Sequence, residues 1–81
     1  MKLPRDVGGG ELAIQLGRYG YRAVRQSGSH IRLTSTAMGK QHHITIPAQK
    51  PLKVGTLSGI IDDVAAYLQV DRKSLIEELF K

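Results

Sequence analysis

Residues 25–34 read Arg-Gln-Ser-Gly-Ser-His-Ile-Arg-Leu-Thr, and the rest of the chain can be interpreted outward from them. The dipeptide Ser27-Gly28 predicts a tight turn that joins two antiparallel strands. After the turn, Ile31 and Leu33 alternate with polar residues, which is the period of a strand with one buried face. Because the apolar residues must face the core, His30 is expected on the open face of the sheet, between arginines. This arrangement suits a polyanionic ligand.

The length and composition predict one small domain that spans residues 1–81. No segment approaches the roughly 18 apolar residues that a membrane-spanning helix needs, and no signal sequence is recognisable at the start. The chain has no cysteine, which excludes disulfides and thiolate metal ligands. We therefore expect a cytoplasmic protein that does not bind a membrane.

The charge is unevenly distributed along the chain. Twelve Lys and Arg residues against seven Asp and Glu residues give a net charge of +5. Five of the seven acidic residues fall in the last twenty positions, so residues 2–53 are more basic than the whole. This distribution favours a phosphate-facing surface in the first part of the chain. A nucleotide cradle at Gly8-Gly9-Gly10 is excluded, because no strand precedes the glycines and no Lys-Ser/Thr follows them.

The hydrophobic pattern predicts an α+β fold: a helix, a three-stranded antiparallel meander, a second helix and a short C-terminal helix. Gly8 and Glu11 mark the start of the first helix, and Gly20 its end. The predicted strands are Tyr21–Gln26, Ser29–Thr34 and His42–Pro47. The second helix carries an apolar stripe at Leu57, Ile60, Ile61, Val64 and Leu68, and Asp71 caps the last helix. In the first strand Val24 is the expected core residue, although Tyr21 and Val24 can both face inward only if the strand contains a bulge.

His30 is the candidate catalytic residue. With Ser27-Gly28 as a two-residue turn, Arg25 is predicted to lie directly across from His30. An imidazole titrates near neutral pH and can accept a proton from a ribose 2′-hydroxyl. A neighbouring guanidinium can hold the phosphate and stabilise charge in the transition state. These groups suffice for RNA cleavage by internal attack without a metal, although a single histidine at a strand start is more often structural.

No metal or other cofactor is expected. Adjacent strand residues point to opposite faces, so His42 and His43 cannot both join His30 around one ion. His42 is instead expected to be a partly buried residue at the strand end. Lys50 and Lys53 precede the second helix, whose free amides would favour a bound phosphate, although a solvated lysine loop is an equally good interpretation.

Several segments together resemble the HicA (YcfA-like) toxins of type II toxin–antitoxin systems, in order and in spacing. These segments are Gly20-Tyr21, Arg25-Gln26, Gly28-Ser29-His30, His43-Ile44-Thr45-Ile46-Pro47 and Leu52-Lys53-Val54-Gly55-Thr56-Leu57. The Gly-Ser-His motif alone would be weak, but its combination with the later block is specific. The likeness extends from about Leu3 to Leu79.

The resemblance implies a fold like that of double-stranded-RNA-binding domains and a ribonuclease activity against messenger RNA. The family's catalytic histidine falls on His30, and a HicB antitoxin would block the site. We expect the residues that bind RNA or phosphate to be Arg25, Ser29, Arg32, Lys50 and Lys53. Two alternatives remain open at this point: an RNA-binding module without catalysis, and a protein-interaction domain whose positive charge serves an acidic partner.

Overall fold

A computed structural model describes residues 3–80, which form an antiparallel sheet with helices on one of its faces. The elements are α1 (Gly9–Leu16), a 3-10 helix (Gly17–Tyr19), β1 (Arg22–Ser27), β2 (His30–Ser35), β3 (His42–Pro47), α2 (Val54–Leu68) and α3 (Arg72–Leu79). The strand order β1-β2-β3 is the predicted meander. The α+β prediction is confirmed, and the order agrees with a fold like that of double-stranded-RNA-binding domains. Met1, Lys2 and Lys81 belong to the predicted domain but lie outside the described residues.

The start of α1 is fixed by its first glycines and by Glu11. Gly8 is the N-cap residue and Glu11 is at N3, as the sequence predicted. The structure adds a hydrogen bond from the Gly8 backbone N–H to Oε1 of Glu11 at 3.1 Å. Gly9 packs directly against the end of β3: its N–H donates to the carbonyl of Gln49, and a Cβ on Gly9 would lie only 1.8 Å from the carbonyl oxygen of Pro47. Only a glycine permits this close approach of two backbones. The contact positions α1 against the end of β3 that lies beside the start of β2.

The core lies between the helices and one face of the sheet. The sheet contributes Ile31, Leu33, Ile44 and Ile46, all of which are buried. Residues of the opposite parity on β3, His43 and Thr45, are exposed, as predicted from the alternating pattern. The predicted stripe of α2 packs on the inner face, with Leu68 only partly buried. The sheet therefore keeps one face free of helices.

The prediction for β1 is wrong in one respect. Val24 is 51% exposed rather than buried, and the register between β1 and β2 shifts between Ala23 and Arg25. Val24 is thus the extra residue of a β-bulge, while Tyr21, just before the strand, is the residue that enters the core. Bulges are frequent on edge strands because they discourage pairing with another chain, and β1 is an edge strand.

Tyr67 near the end of α2 holds the loop between β2 and β3. Its hydroxyl accepts a hydrogen bond from the Met38 N–H at 3.0 Å and contacts the carbonyl oxygens of Ser35 and Lys40. The predicted cap of α3 is also present, since the Asp71 carboxylate accepts a hydrogen bond from the Ser74 N–H at 3.0 Å. No helix within residues 3–80 combines the length and apolar character that a bilayer crossing requires.

Candidate nucleic-acid interface

The sheet face that the helices leave free, here called the open face, carries three rows of cross-strand neighbours. The rows follow from the register of the strands: Ser27–His30–Pro47, Arg25–Arg32–Thr45 and Arg22–Thr34–His43. Successive rows are two residues apart along β2, which corresponds to about 6.6 Å. The open face is therefore a strip of about 13 Å along β2, with His30 at one end.

His30 is the first residue of β2 and is exposed, as the sequence predicted. Its backbone is well anchored because the preceding residue, Ser29, accepts a hydrogen bond from the Ala48 N–H at 2.6 Å. The register places His30 opposite Pro47, the residue whose carbonyl contacts Gly9. Within residues 3–80 the imidazole of His30 has no hydrogen-bond partner. Its polar atoms are thus available to a ligand.

The turn before β2 lies one residue later than predicted. Gly28 and Ser29 form the turn, with Gly28 at φ 57°, so that Ser27 rather than Arg25 faces His30. Arg25 instead lies opposite Arg32 in the next row. The correction follows from backbone chemistry, since the left-handed conformation is accessible to Gly28 at little cost and is poorly accessible to Ser27. Both arginines remain on the open face, one row from His30.

The Arg25–Arg32 pair is electrostatically unfavourable in the absence of a ligand. Like charges directly opposite each other destabilise a strand pair. Neither guanidinium forms an ion pair with a carboxylate in the described part of the chain, where the ion pairs are Lys50–Glu11 and Arg72–Asp62. All seven acidic residues lie within residues 3–80, and none is in a strand. A bound anion would relieve the repulsion, which makes this pair a suitable anion site.

The other two histidines make contacts within the protein. The Nδ1 atom of His42 and the hydroxyl of Tyr21 are 2.6 Å apart, and the His42 ring stacks on Tyr67 at a centroid distance of 4.6 Å. His42 is half-buried, as predicted, and burial raises the pKa of the Tyr21 hydroxyl, which keeps it protonated. His43 lies on the open face with Nδ1 2.8 Å from Oγ1 of Thr34. Among residues 3–80, no group of three His, Asp or Glu residues is arranged to hold a metal ion.

Arg22 is an open-face residue that the strand pattern did not predict. With a regular strand, Arg22 and Arg25 would point to opposite faces because they are three residues apart. The bulge at Val24 adds one residue and returns both arginines to the same face. The sequence does contain a signal for this position, because Tyr21 and Val24 can both face the core only if the strand contains a bulge. If Tyr21 is buried and Val24 is the bulged residue, Arg22 is predicted to lie on the open face.

The two lysines of the predicted phosphate site have different surroundings. Lys53 is the N-cap residue of α2 and is exposed, as expected for a phosphate contact. Lys50 instead forms an ion pair with Glu11 of α1, at 3.0 Å between Nζ and Oε1. The hydrogen bond from Lys50, together with that from the Gly8 amide, lowers the pKa of Glu11, and the same pair raises the pKa of Lys50. Both groups therefore carry their charge at neutral pH, and part of the positive potential of Lys50 is cancelled.

A known protein family matches most of the chain. The family model described as HicA toxin of bacterial toxin–antitoxin matches residues 9–65, which run from the start of α1 into the last turns of α2 and include the whole sheet. Searches of curated proteins and of solved structures gave no match. The matched region is more than two thirds of the 81 residues. The chain therefore belongs to the HicA toxin family of bacterial toxin–antitoxin systems.

Proposed function

We propose that this toxin is a metal-independent endoribonuclease that cleaves messenger RNA in the cytoplasm, with His30 as its catalytic residue. The observation that carries the proposal is the position of His30. Its imidazole is exposed, has no hydrogen-bond partner within residues 3–80, and lies one row from Arg25 and Arg32, which form no ion pair with a carboxylate there. The membership in a toxin family supports a damaging activity, and the chemistry of these groups favours RNA as the target.

The reaction uses the 2′-hydroxyl of the substrate as the nucleophile. His30 accepts the proton of this hydroxyl while the 2′-oxygen bonds to phosphorus. The bond from phosphorus to the 5′-oxygen breaks, and the 5′-oxygen takes up a proton, directly from the imidazolium or through water. The products are a 2′,3′-cyclic phosphate and a 5′-hydroxyl end. The guanidinium groups of Arg25 and Arg32 stabilise the charge on the phosphoryl oxygens.

The remaining predicted contacts extend along the edges of this site. Ser29 lies in the turn that precedes His30, where its exposed hydroxyl can reach the substrate backbone. Lys53 supplies a charge beside the amides of the first turn of α2. Lys50 is the weaker of the two phosphate contacts, because Glu11 competes for its ammonium group.

Cleavage should continue in EDTA and should require a ribose 2′-hydroxyl at the cleaved position. The measurement uses an end-labelled RNA and a copy with a single 2′-deoxy nucleotide at the scissile step. We expect cleavage of the first at an unchanged rate in EDTA, with cyclic phosphate ends, and no cleavage of the second at that step. Loss of activity in EDTA that added magnesium restores would refute the metal-independent mechanism. Tight binding without cleavage would identify the protein as an RNA-binding module instead.

We also propose that a HicB-type antitoxin protein covers the open face. Because this face is basic, the blocking surface should be acidic, with carboxylates that pair with the arginines. The exposed Arg32 lies at the centre of the face, between Arg25 and Thr45.

Arg32→Glu should weaken binding of the antitoxin and of RNA together. A reversal at a close charge pair removes an attraction and adds a repulsion, so we expect a loss of antitoxin affinity of at least 10-fold, greatest at low salt. The matched control is Lys73→Glu, which makes the same change in net charge on α3, at an exposed position off the sheet. Equal affinities of wild type, Arg32→Glu and Lys73→Glu at low and high salt would show that the antitoxin docks elsewhere.

A further inference from the structure

The row Arg22–Thr34–His43 lies at the end of the open face that is remote from His30, and the reaction proposed above does not use it. Thr34 is at its centre and is only 9% exposed, although its side chain belongs to the open face. Its neighbours in the row, Arg22 and His43, are both exposed. The threonine is thus largely shielded from solvent, whereas the side chains of its two cross-strand neighbours are open to solvent.

The hydrogen bond between Thr34 and His43 determines which imidazole atom can meet a ligand. Nδ1 of His43 lies 2.8 Å from the threonine hydroxyl, so Nε2 is the ring nitrogen left for an external partner. Holding one ring nitrogen also restricts the orientation of the ring before any ligand arrives. Across the row, Arg22 has no carboxylate partner among residues 3–80. A guanidinium and a held imidazole are together suited to a phosphate group.

The distance from His30 shows which part of a substrate would reach this row. His30 and Thr34 are four positions apart along β2, which is about 13 Å at the rise of a strand. At a rise of about 3.4 Å per nucleotide in a stacked strand, this corresponds to roughly four nucleotides. The Arg25–Arg32 row lies between the two ends, so positive charge continues along the path.

We propose that Arg22 and His43, with Thr34 as a positioning residue, form a second phosphate-binding subsite that holds the RNA backbone about four nucleotides from the cleaved bond. This inference rests on the proposed function, because it assumes that RNA lies along the open face. The subsite binds substrate and transition state equally, so it acts on KM and leaves kcat unchanged. It also makes an RNA of about ten nucleotides a better substrate than one of three.

The first experiment measures binding without catalysis. In a His30→Ala parent, the affinity for a labelled ten-nucleotide RNA is compared with that of the same protein carrying Arg22→Ala or, as the matched control, Arg18→Ala. Arg18 is exposed on the 3-10 helix, away from the sheet. We expect Arg22→Ala to weaken binding about 5- to 20-fold and to reduce the slope of log affinity against log salt by about 0.7, and Arg18→Ala to do neither.

The second experiment separates the roles of Thr34 and His43. In the active protein, Arg22→Ala and His43→Ala should each raise KM for the ten-nucleotide RNA without lowering kcat, and should leave kcat/KM for a three-nucleotide RNA unchanged. Thr34→Val keeps the shape of the side chain and removes the hydroxyl. It should raise KM less than His43→Ala does. Because the hydroxyl acts through the imidazole, the double variant Thr34→Val/His43→Ala should have the same KM as His43→Ala alone.

The outcomes distinguish the two proposals. If the His30→Ala parent binds RNA but Arg22→Ala and Arg18→Ala behave alike, the second subsite is refuted and the proposed ribonuclease activity is unaffected. If Arg22→Ala lowers kcat for both RNA lengths, the row belongs to the catalytic machinery and the subsite as stated is wrong. If the parent binds no RNA at all, both proposals fail.

Discussion

Replacement of His30 by alanine is expected to lower the rate of RNA cleavage at least about 100-fold and up to about 10,000-fold, the range that a general base contributes. The stability should change by no more than about 0.5 kcal/mol, because the side chain is exposed and has no hydrogen-bond partner in residues 3–80. Cleavage of a labelled RNA and thermal unfolding, measured on the same preparations, test both parts.

His30→Gln provides a sharper comparison than alanine alone. Its amide can still form hydrogen bonds but cannot take up a proton at neutral pH, so a general-base role predicts a loss as large as that of His30→Ala. Gln26→Ala is the control, since Gln26 is also exposed beside the turn but belongs to the other parity of the sheet. Cleavage by His30→Ala at the wild-type rate would refute the catalytic assignment. If His30→Gln cleaves at a near-normal rate and His30→Ala does not, His30 acts as a hydrogen-bonding group and not as a general base.

The second large effect is expected at Gly9. Gly9→Ala would place a methyl group 1.8 Å from the carbonyl oxygen of Pro47 and 2.9 Å from its carbonyl carbon. Neither atom belongs to a flexible side chain, so α1 must move away from β3. We expect a loss of about 2–3 kcal/mol in the free energy of unfolding, which corresponds to a fall of roughly 8–24 °C in Tm for a domain of this size.

Gly10→Ala is the matched control for this prediction. The two glycines are adjacent in the first turn of α1, but a Cβ on Gly10 meets no atom within 4 Å. Alanine at that position should leave the stability unchanged or raise it by up to about 1 kcal/mol, because alanine is the better helix former. Thermal unfolding of both variants tests the argument. Equal melting temperatures of Gly9→Ala and wild type would mean that α1 is not held against Pro47 in solution.

The elements that could be predicted were those with a strong local signal. The stripe on α2, the cap at Asp71 and the alternation of Ile44 and Ile46 each depend on neighbours along the chain, and the structure contains all of them. The bounds of β3 were predicted without error for the same reason. The order of elements follows directly from these signals.

The errors all lie in β1 and its turn, where the local signal is weak. Ser27-Gly28 and Gly28-Ser29 are both acceptable two-residue turns by composition, and a shift of one residue changes every cross-strand neighbour. Hydrophobicity alone predicts a core position for Val24, but an edge strand with a bulge can leave such a residue in solvent. The strand register is therefore needed to place Arg25 opposite Arg32. It is also needed to place Arg22 on the same face.

The separation of the two faces of the sheet also affects how such toxins can diverge. Ile31 and Leu33 face the core, whereas the alternate residue Arg32 faces outward and is exposed. Substitutions at the outward positions change the pattern of charge with little loss of folding free energy. With the antitoxin docked on the open face as proposed above, a duplicated copy of the chain can acquire a charge pattern that repels the original inhibitor while still folding. By such changes, two toxin–inhibitor pairs in one cell can reach a state in which neither inhibitor binds the toxin of the other pair, while the core residues stay the same.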